Sequence, residues 1–269
     1  MLLAVDVGNS NTTVGVFERS ELRTELRLST GRGWTRDEFA VDLSQALALG
    51  GLSLSDLTDA IVACVVPPVL QAVVDALGRF AHLSPLIVGP GVKTGMPIRY
   101  DPPQDVGADR IVTAVAAHVR HGLEDPKHPK GVVVVDFGTA LTFDVISDKP
   151  EYLGGVIAPG VGISADALFS RAAKLPRVEA KRPAKVIGRN TVAAIQSGLV
   201  HGYLGMVEGI LSRIREEVSF EFKVVSTGGF ATVVAEQSSS IDVVDDTLVL
   251  EGLRLIHARN RGSEVAGVA

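Results

Sequence analysis

The strongest constraint on how this chain can fold is a repeat. Asp6-Val7-Gly8-Asn9-Ser10-Asn11-Thr12 aligns with Asp136-Phe137-Gly138-Thr139-Ala140-Leu141-Thr142, and every matched pair lies 130 residues apart. Each copy follows an apolar run, Leu2–Val7 or Val132–Val135, and leads into a second one. Asp is poorly suited to strands, so its place at the end of both runs needs a reason. Taken singly, either copy reads as an ordinary hairpin turn built from Asp and Gly. Two copies in step, with Thr at the same place in both, favour a functional reading in which two hairpin loops face each other across a cleft. Glycine lets the backbone approach a phosphate. The N–H groups that follow, and Asn, Ser or Thr side chains, donate to phosphate oxygens. Each Asp can hold a cation beside that charge, directly or through water.

The 269 residues fit one large domain or two lobes of ordinary size. With 46% hydrophobic and 21% charged residues the chain has enough apolar material for packed cores. A net charge of −5 supplies no basic field to recruit nucleic acid. Cys64 is the only cysteine, so no internal disulfide forms, and its apolar neighbours suggest a buried small hydrophobe. Asp6 interrupts the N-terminal apolar stretch, no secretory signal is expected, and no window of about 20 residues is apolar enough to span a bilayer. A cytoplasmic location follows as the expectation.

Strands are predicted over Leu2–Val7, Thr12–Phe17, Leu22–Leu28, Ala60–Val66 and Leu86–Val88, then over Val132–Val135, Leu141–Ile146, Tyr152–Ile157 and Phe222–Val225. Thr35-Arg36-Asp37-Glu38 has capping-box spacing and opens a helix to about Leu49, with Trp34 packed beside its start. Asn190-Thr191 opens a helix to about Glu217, and Asp245-Asp246 is expected to cap a last helix. The long helix carries Gly198, Gly202, Gly205 and Gly209 near one face, which permits a dimer contact or an interlobe contact. The polar stretch His121–Lys130 is the best interlobe connection. The expected division is 1–120, 131–260 and a disordered tail over 261–269. Lys174, Arg177, Lys181, Arg182, Lys185 and Arg189 read as a solvated loop ahead of an anion-steering lid.

The Gly- and Pro-rich stretch from Gly89 to Gly107 is long enough to suggest function. It ends in Gly107-Ala108-Asp109-Arg110 at a helix start. Asp109 there is explained equally well by the helix dipole or as the acceptor of a proton from a hydroxyl nucleophile, with Arg110 pairing substrate or phosphate charge. A third element, Val224-Val225-Ser226-Thr227-Gly228-Gly229, is a strand running into a glycine turn that lets a base or ribose lie close to the backbone. No G-x-x-x-x-G-K-[ST] and no G-x-G-x-x-G is present.

The three elements together resemble the two phosphate motifs and the adenosine motif of the actin, sugar-kinase and heat-shock ATPase superfamily. That resemblance implies an α/β fold of two similar RNase H-like lobes with an interlobe nucleotide cleft. Gly107–Arg110, the Asp6–Thr13 loop, Asp136–Ala140, Gly154–Gly160 and Thr191–Gly198 also occur in the order found in type III pantothenate kinases, which the chain resembles from Leu2 to about Leu255. The resemblance implies ATP-dependent phosphorylation of pantothenate, the first step of coenzyme A biosynthesis. ATP would bind at Asp6, Val7, Gly8, Asn9, Ser10, Asn11, Thr12, Thr13 and Thr139. A monovalent cation, K⁺ or NH₄⁺, would sit at Asp136, and Mg²⁺ would travel with the nucleotide. Pantothenate would meet Tyr100, Gly107, Ala108, Asp109, Arg110 and Thr191, with Asp109 as general base, in a homodimer whose neighbouring subunit helps close the pocket. Leu141 stands where the family commonly has a polar Thr, which implies a local packing change only. A kinase of another small-molecule hydroxyl, or a non-catalytic ATP-binding regulator, are the competing readings.

Overall fold

A computed structural model describes residues 1–172 and 175–262. They form two compact units. The first is Met1–Ala116 with the segment from Thr247 onward, and the second is Ala117–Asp246.

The first unit is built on β1 (Leu2–Val7), β2 (Asn11–Glu18), β3 (Glu21–Ser29), β4 (Asp59–Cys64) and β5 (Leu86–Ile87), in the order β3-β2-β1-β4-β5. The first three strands are an antiparallel meander, and β4 and β5 add in parallel. Helix α1 (Arg36–Leu49) starts on the expected capping box, with Glu38 N–H bonded to Thr35 Oγ1 and Thr35 N–H to the Glu38 carboxylate. Trp34 stacks edge-on to Phe39 and donates its indole N–H to Asp42. Pro67 opens α2 (Pro67–Phe80), where its missing N–H costs no hydrogen bond. The side chains of α1 and α2, Phe39, Leu43, Leu47, Val69, Val73 and Leu77, cover one face of β1, β2 and β4. Helix α3 (Ala108–Ala117) closes the unit's first segment.

The second unit repeats this plan. β6 (Gly131–Phe137), β7 (Ala140–Ile146), β8 (Tyr152–Pro159), β9 (Phe222–Gly228) and β10 (Val243–Val244) take the order β10-β9-β6-β7-β8. Again the first three are antiparallel and the last two parallel. Helices α4 (Val161–Arg171), α5 (Thr191–Glu217) and α6 (Ala231–Ala235) bury Val161, Leu199, Tyr203, Val207, Leu211 and Val234 against Val133, Val135 and Phe143. Asn190 caps α5 by accepting the Ala193 N–H at 2.8 Å. The repeat seen in the sequence is therefore a repeat of strand order and direction.

Several expectations need correction. The last helix, α7 (Leu248–Arg261), belongs to the first unit and not to the second. Leu3, Ala4 and Val5 of β1 are wholly buried, so both faces of that sheet need a cover, and α7 packs against β1, β2 and β4. The units divide at the end of α3, because His118–Gly122 continues as a π turn lying on β6 and β9. Asp245 does not cap α7, whose N-cap is Thr247; its carboxylate binds Arg120 and His121. Cys64 is only half-buried, with its thiol bonded to the Val66 carbonyl. Arg177 and Lys181 of the basic stretch pair with Asp166 and Glu179, while Lys174 lies outside the described residues, as does the expected tail beyond Gly262. Among the described residues no helix is long and apolar enough to cross a membrane.

Candidate active site

In the first unit, Asp6 and Val7 end β1, Gly8-Asn9-Ser10 make the turn, and Asn11, Thr12 and Thr13 begin β2. Gly8 N–H bonds the Asn11 carbonyl at 3.0 Å, and a Cβ at Gly8 would stand 2.9 Å from that oxygen. The turn is braced from outside the motif by Thr30, just past β3, whose hydroxyl donates to the Gly8 carbonyl at 2.7 Å. The sequence carried no sign of this role, since a lone Thr after a strand has no motif.

The block Gly107–Arg110 sits at the same end of this sheet. Gly107 lies against Val65, 3.6 Å from Val65 Cγ1 to a Cβ placed on it, and Val65 N–H bonds the Val7 carbonyl at 3.0 Å. Ala108 opens α3, which puts Asp109 and Arg110 in its first turn. A Cβ at Gly107 would fall 2.5 Å from Asp109 Oδ1, so glycine is what lets the carboxylate fold back over the helix start. There it accepts the Arg110 N–H at 2.8 Å. Burial pushes the Asp109 carboxyl above its ordinary value, and the Arg110 N–H and guanidinium pull it back only in part. A carboxylate made more basic while still hydrogen-bonded suits proton acceptance. Tyr100 is half-buried in the preceding loop. That loop is strapped to α7, because Arg259 donates to the Thr94 carbonyl and Asn260 bonds both the N–H and the carbonyl of Lys93.

In the second unit, Asp136 occupies β6 and Gly138-Thr139 make a two-residue turn into β7. The first turn has three residues, and that difference changes the alignment. Asp6 faces Thr13 across its hairpin, whereas Asp136 faces Thr142. The structural counterpart of Thr142 is thus Thr13, not Thr12 as the constant spacing suggested. Thr12 corresponds instead to Leu141, and both are wholly buried.

Gly228 and Gly138 border Asp136, and Gly160 packs on the turn that follows it. Gly228 ends β9 with φ +91°, and a Cβ there would be 2.6 Å from Asp136 Oδ1. Gly138 leaves open space at about van der Waals distance from the same carboxylate. Gly160 at the start of α4 donates to the Thr139 carbonyl at 3.2 Å, and any side chain on it would collide with the Gly138 and Thr139 carbonyls. Tyr203 of α5 secures this corner by donating its hydroxyl to the Pro159 carbonyl at 2.8 Å. Behind the turn, Asp144 is buried and accepts from Thr142 at 3.0 Å and from Tyr152 at 2.6 Å. The Asp136–Ala140 turn and the glycine at the end of β9 are therefore one local structure.

Thr191 is the first residue of α5 and is exposed. With Gly188, Arg189, Asn190 and Leu168 it lines a cavity of about 570 Å³. Three of the four glycines of α5 have no close neighbour: a Cβ at Gly198, Gly202 or Gly205 would meet nothing within 4 Å.

The glycine-bounded space at Asp136 fits a cation. No group of three or more His, Cys, Asp or Glu among the described residues could hold a metal by itself.

Comparison with known proteins agrees with this architecture. A solved structure described as a Baf family transcriptional activator from Campylobacter jejuni superposes with a TM-score of 0.59 at 19% identity, covering 97% of this chain and 99% of that one. One described as a 2-dehydro-3-deoxygalactonokinase from Sinorhizobium meliloti gives 0.55 at 16% identity, with 100% and 98% covered. At these identities the likeness is one of fold. A protein of Syntrophotalea carbinolica named type III pantothenate kinase is 50% identical over 262 residues, which is 97% of this chain and all of that protein. The family model for type III pantothenate kinase matches residues 2–213, and with that match and that identity the chain belongs to the type III pantothenate kinase family.

Proposed function

We propose that this protein transfers the γ-phosphoryl group of ATP to the hydroxyl of pantothenate, with Asp109 as general base. The observation that carries the chemistry is the Asp109 carboxylate: held in the first turn of α3, pushed up by burial, adjacent to Arg110, and at the same sheet end as the Asp6–Thr13 turn. The choice of pantothenate comes from the named relative.

Phosphoryl transfer to an alcohol has a loose transition state, so the protein mainly positions reactants and offsets charge. Asp6, Val7, Gly8, Asn9, Ser10, Asn11, Thr12, Thr13 and Thr139 would bind ATP. Tyr100, Gly107, Ala108, Arg110 and Thr191 would hold pantothenate. Asp109 would take the hydroxyl proton as the oxygen–phosphorus bond forms. Mg²⁺, when bound with ATP, would offset phosphate charge. Asp136 would hold the monovalent cation in the space left by Gly138 and Gly228. A homodimer is supported by the open glycine face of α5 with exposed Met206 beside it, since unfilled small-residue faces allow close helix approach.

The test is ATP-dependent turnover of purified protein, read as ADP release, over pantothenate and a panel of other alcohols, each with K⁺, NH₄⁺ and Na⁺. Pantothenate should be the preferred acceptor and Na⁺ alone a poor activator. Asp109→Asn should lower turnover by about 10²–10⁴-fold, the usual range for loss of a general base. Normal turnover in that variant would remove Asp109 from the base role, and preference for another alcohol would reassign the substrate.

A further inference from the structure

The turn Gly8-Asn9-Ser10 is held by a residue outside every motif. Thr30 makes two contacts with it and one with the strand that follows: its hydroxyl donates to the Gly8 carbonyl at 2.7 Å, its N–H donates to the Ser10 carbonyl at 3.0 Å, and its Oγ1 lies 3.0 Å from Thr12 Oγ1. A hydroxyl has one proton. Thr30 spends that proton on Gly8, so the Thr12 hydroxyl must be the donor in the Thr12–Thr30 bond. The direction of the whole chain, Thr12 to Thr30 to Gly8, is thereby fixed.

Fixing the Gly8 carbonyl also fixes the amide that follows. The Gly8–Asn9 peptide is trans, and in a trans peptide the carbonyl and the next N–H point to opposite sides. With Gly8 O drawn toward Thr30, the Asn9 N–H faces away from Thr30, and Asn9 is exposed. A backbone N–H presented on a tight glycine turn is a donor for an anion. If the plane were free to rotate, the carbonyl could face outward and repel a phosphate.

We propose that Thr30 is a positioning residue for the nucleotide: it sets the Gly8–Asn9 peptide plane so that the turn offers an N–H, and not a carbonyl, to a phosphate of ATP. This rests on the nucleotide-binding role proposed above for the Asp6–Thr13 turn, and it adds a residue that touches no reactant itself.

The experiment compares parent, Thr30→Val, Thr30→Ala and Thr30→Ser. Val keeps the branched shape without the donor, Ala removes both, and Ser keeps the donor; either donor-less variant that folds is sufficient. ADP and ATP binding by calorimetry, KM for ATP, KM for pantothenate and Tm are read on each. Loss of the donor should weaken ADP binding and raise KM for ATP by about tenfold, in line with one hydrogen bond lost to a charged ligand. KM for pantothenate should stay within about twofold, and Thr30→Ser should restore nucleotide binding. A purely structural role would lower Tm without separating the two KM values, and that result overturns the proposal. So does nucleotide affinity in Thr30→Val within about twofold of the parent. Binding of ADP needs no acceptor, so this arm reports on Thr30 even if pantothenate is not the substrate.

Discussion

Gly228 and Asp136 stand so close that a Cβ on the first would lie 2.6 Å from Oδ1 of the second. The two residues belong to neighbouring parallel strands, β9 and β6, and Gly228 also holds φ at +91°, where side chains are strained. The backbone angle and the carboxylate each exclude a side chain.

Gly228→Ala is therefore expected to displace the Asp136 carboxylate and to cost at least about 1 kcal/mol from backbone strain alone. The distinctive outcome is at the cation. The K⁺ concentration for half-maximal turnover should rise in Gly228→Ala, as it should in Asp136→Asn. Measuring K⁺ activation in both variants checks this; an unchanged K⁺ requirement in both would remove Asp136 from the cation site.

Asp109 should be unfavourable for stability while favourable for catalysis. Its carboxyl is raised by burial, so the folded state prefers the protonated form. The sign follows directly: its contribution is fully present below the ordinary carboxylate value and is lost as pH rises through the raised folded value. At pH 7 the folded state bears the cost of the buried charge. Asp109→Asn should then raise Tm at pH 7 relative to the parent, and the gain should shrink on acidification and vanish below about pH 3.8, the ordinary carboxylate value. Thermal denaturation of both proteins across pH provides the check.

The Asp144 carboxylate is buried behind the second turn with Tyr152 donating to it at 2.6 Å. Tyr152→Phe removes that donor and leaves a buried charge short of a partner. A loss of about 1.5–3 kcal/mol is expected from a hydrogen bond to a charged group. Urea denaturation should show it as a lower midpoint at unchanged slope.

The strap between α7 and the long loop should matter for the acceptor and not for the nucleotide. Arg259 crosses the space above Gly95, and Asn260 bonds both backbone groups of Lys93, fastening the base of the loop that carries Tyr100. Arg259→Ala with Asn260→Ala should raise KM for pantothenate by about fivefold or more while KM for ATP changes by less than about twofold, the loss of the three strap hydrogen bonds being spread over loop order. Steady-state kinetics with each substrate varied separately tests the split.

Local signals carried a good deal of this. Strand runs such as Leu2–Val7 and Tyr152 onward, the Thr35–Glu38 capping box and the Asn190 cap are contacts between residues near in sequence, so their spacing is enough to reveal them. The twin Asp–Gly turns were visible for the same reason. What lay beyond reach were contacts joined only by folding. A count of residues cannot show that the second turn is one residue shorter, so it paired Thr142 with Thr12 where cross-strand geometry pairs it with Thr13. It could not show that β1, buried on both faces, would recruit α7 from the far end of the chain. Nor could it show that Thr30 braces Gly8, or that Gly228 and Gly160 close around the Asp136 turn. Periodicity and caps report the backbone's nearest neighbours, whereas burial of both sheet faces and satisfaction of each carbonyl depend on which distant segments the packed sheet brings alongside.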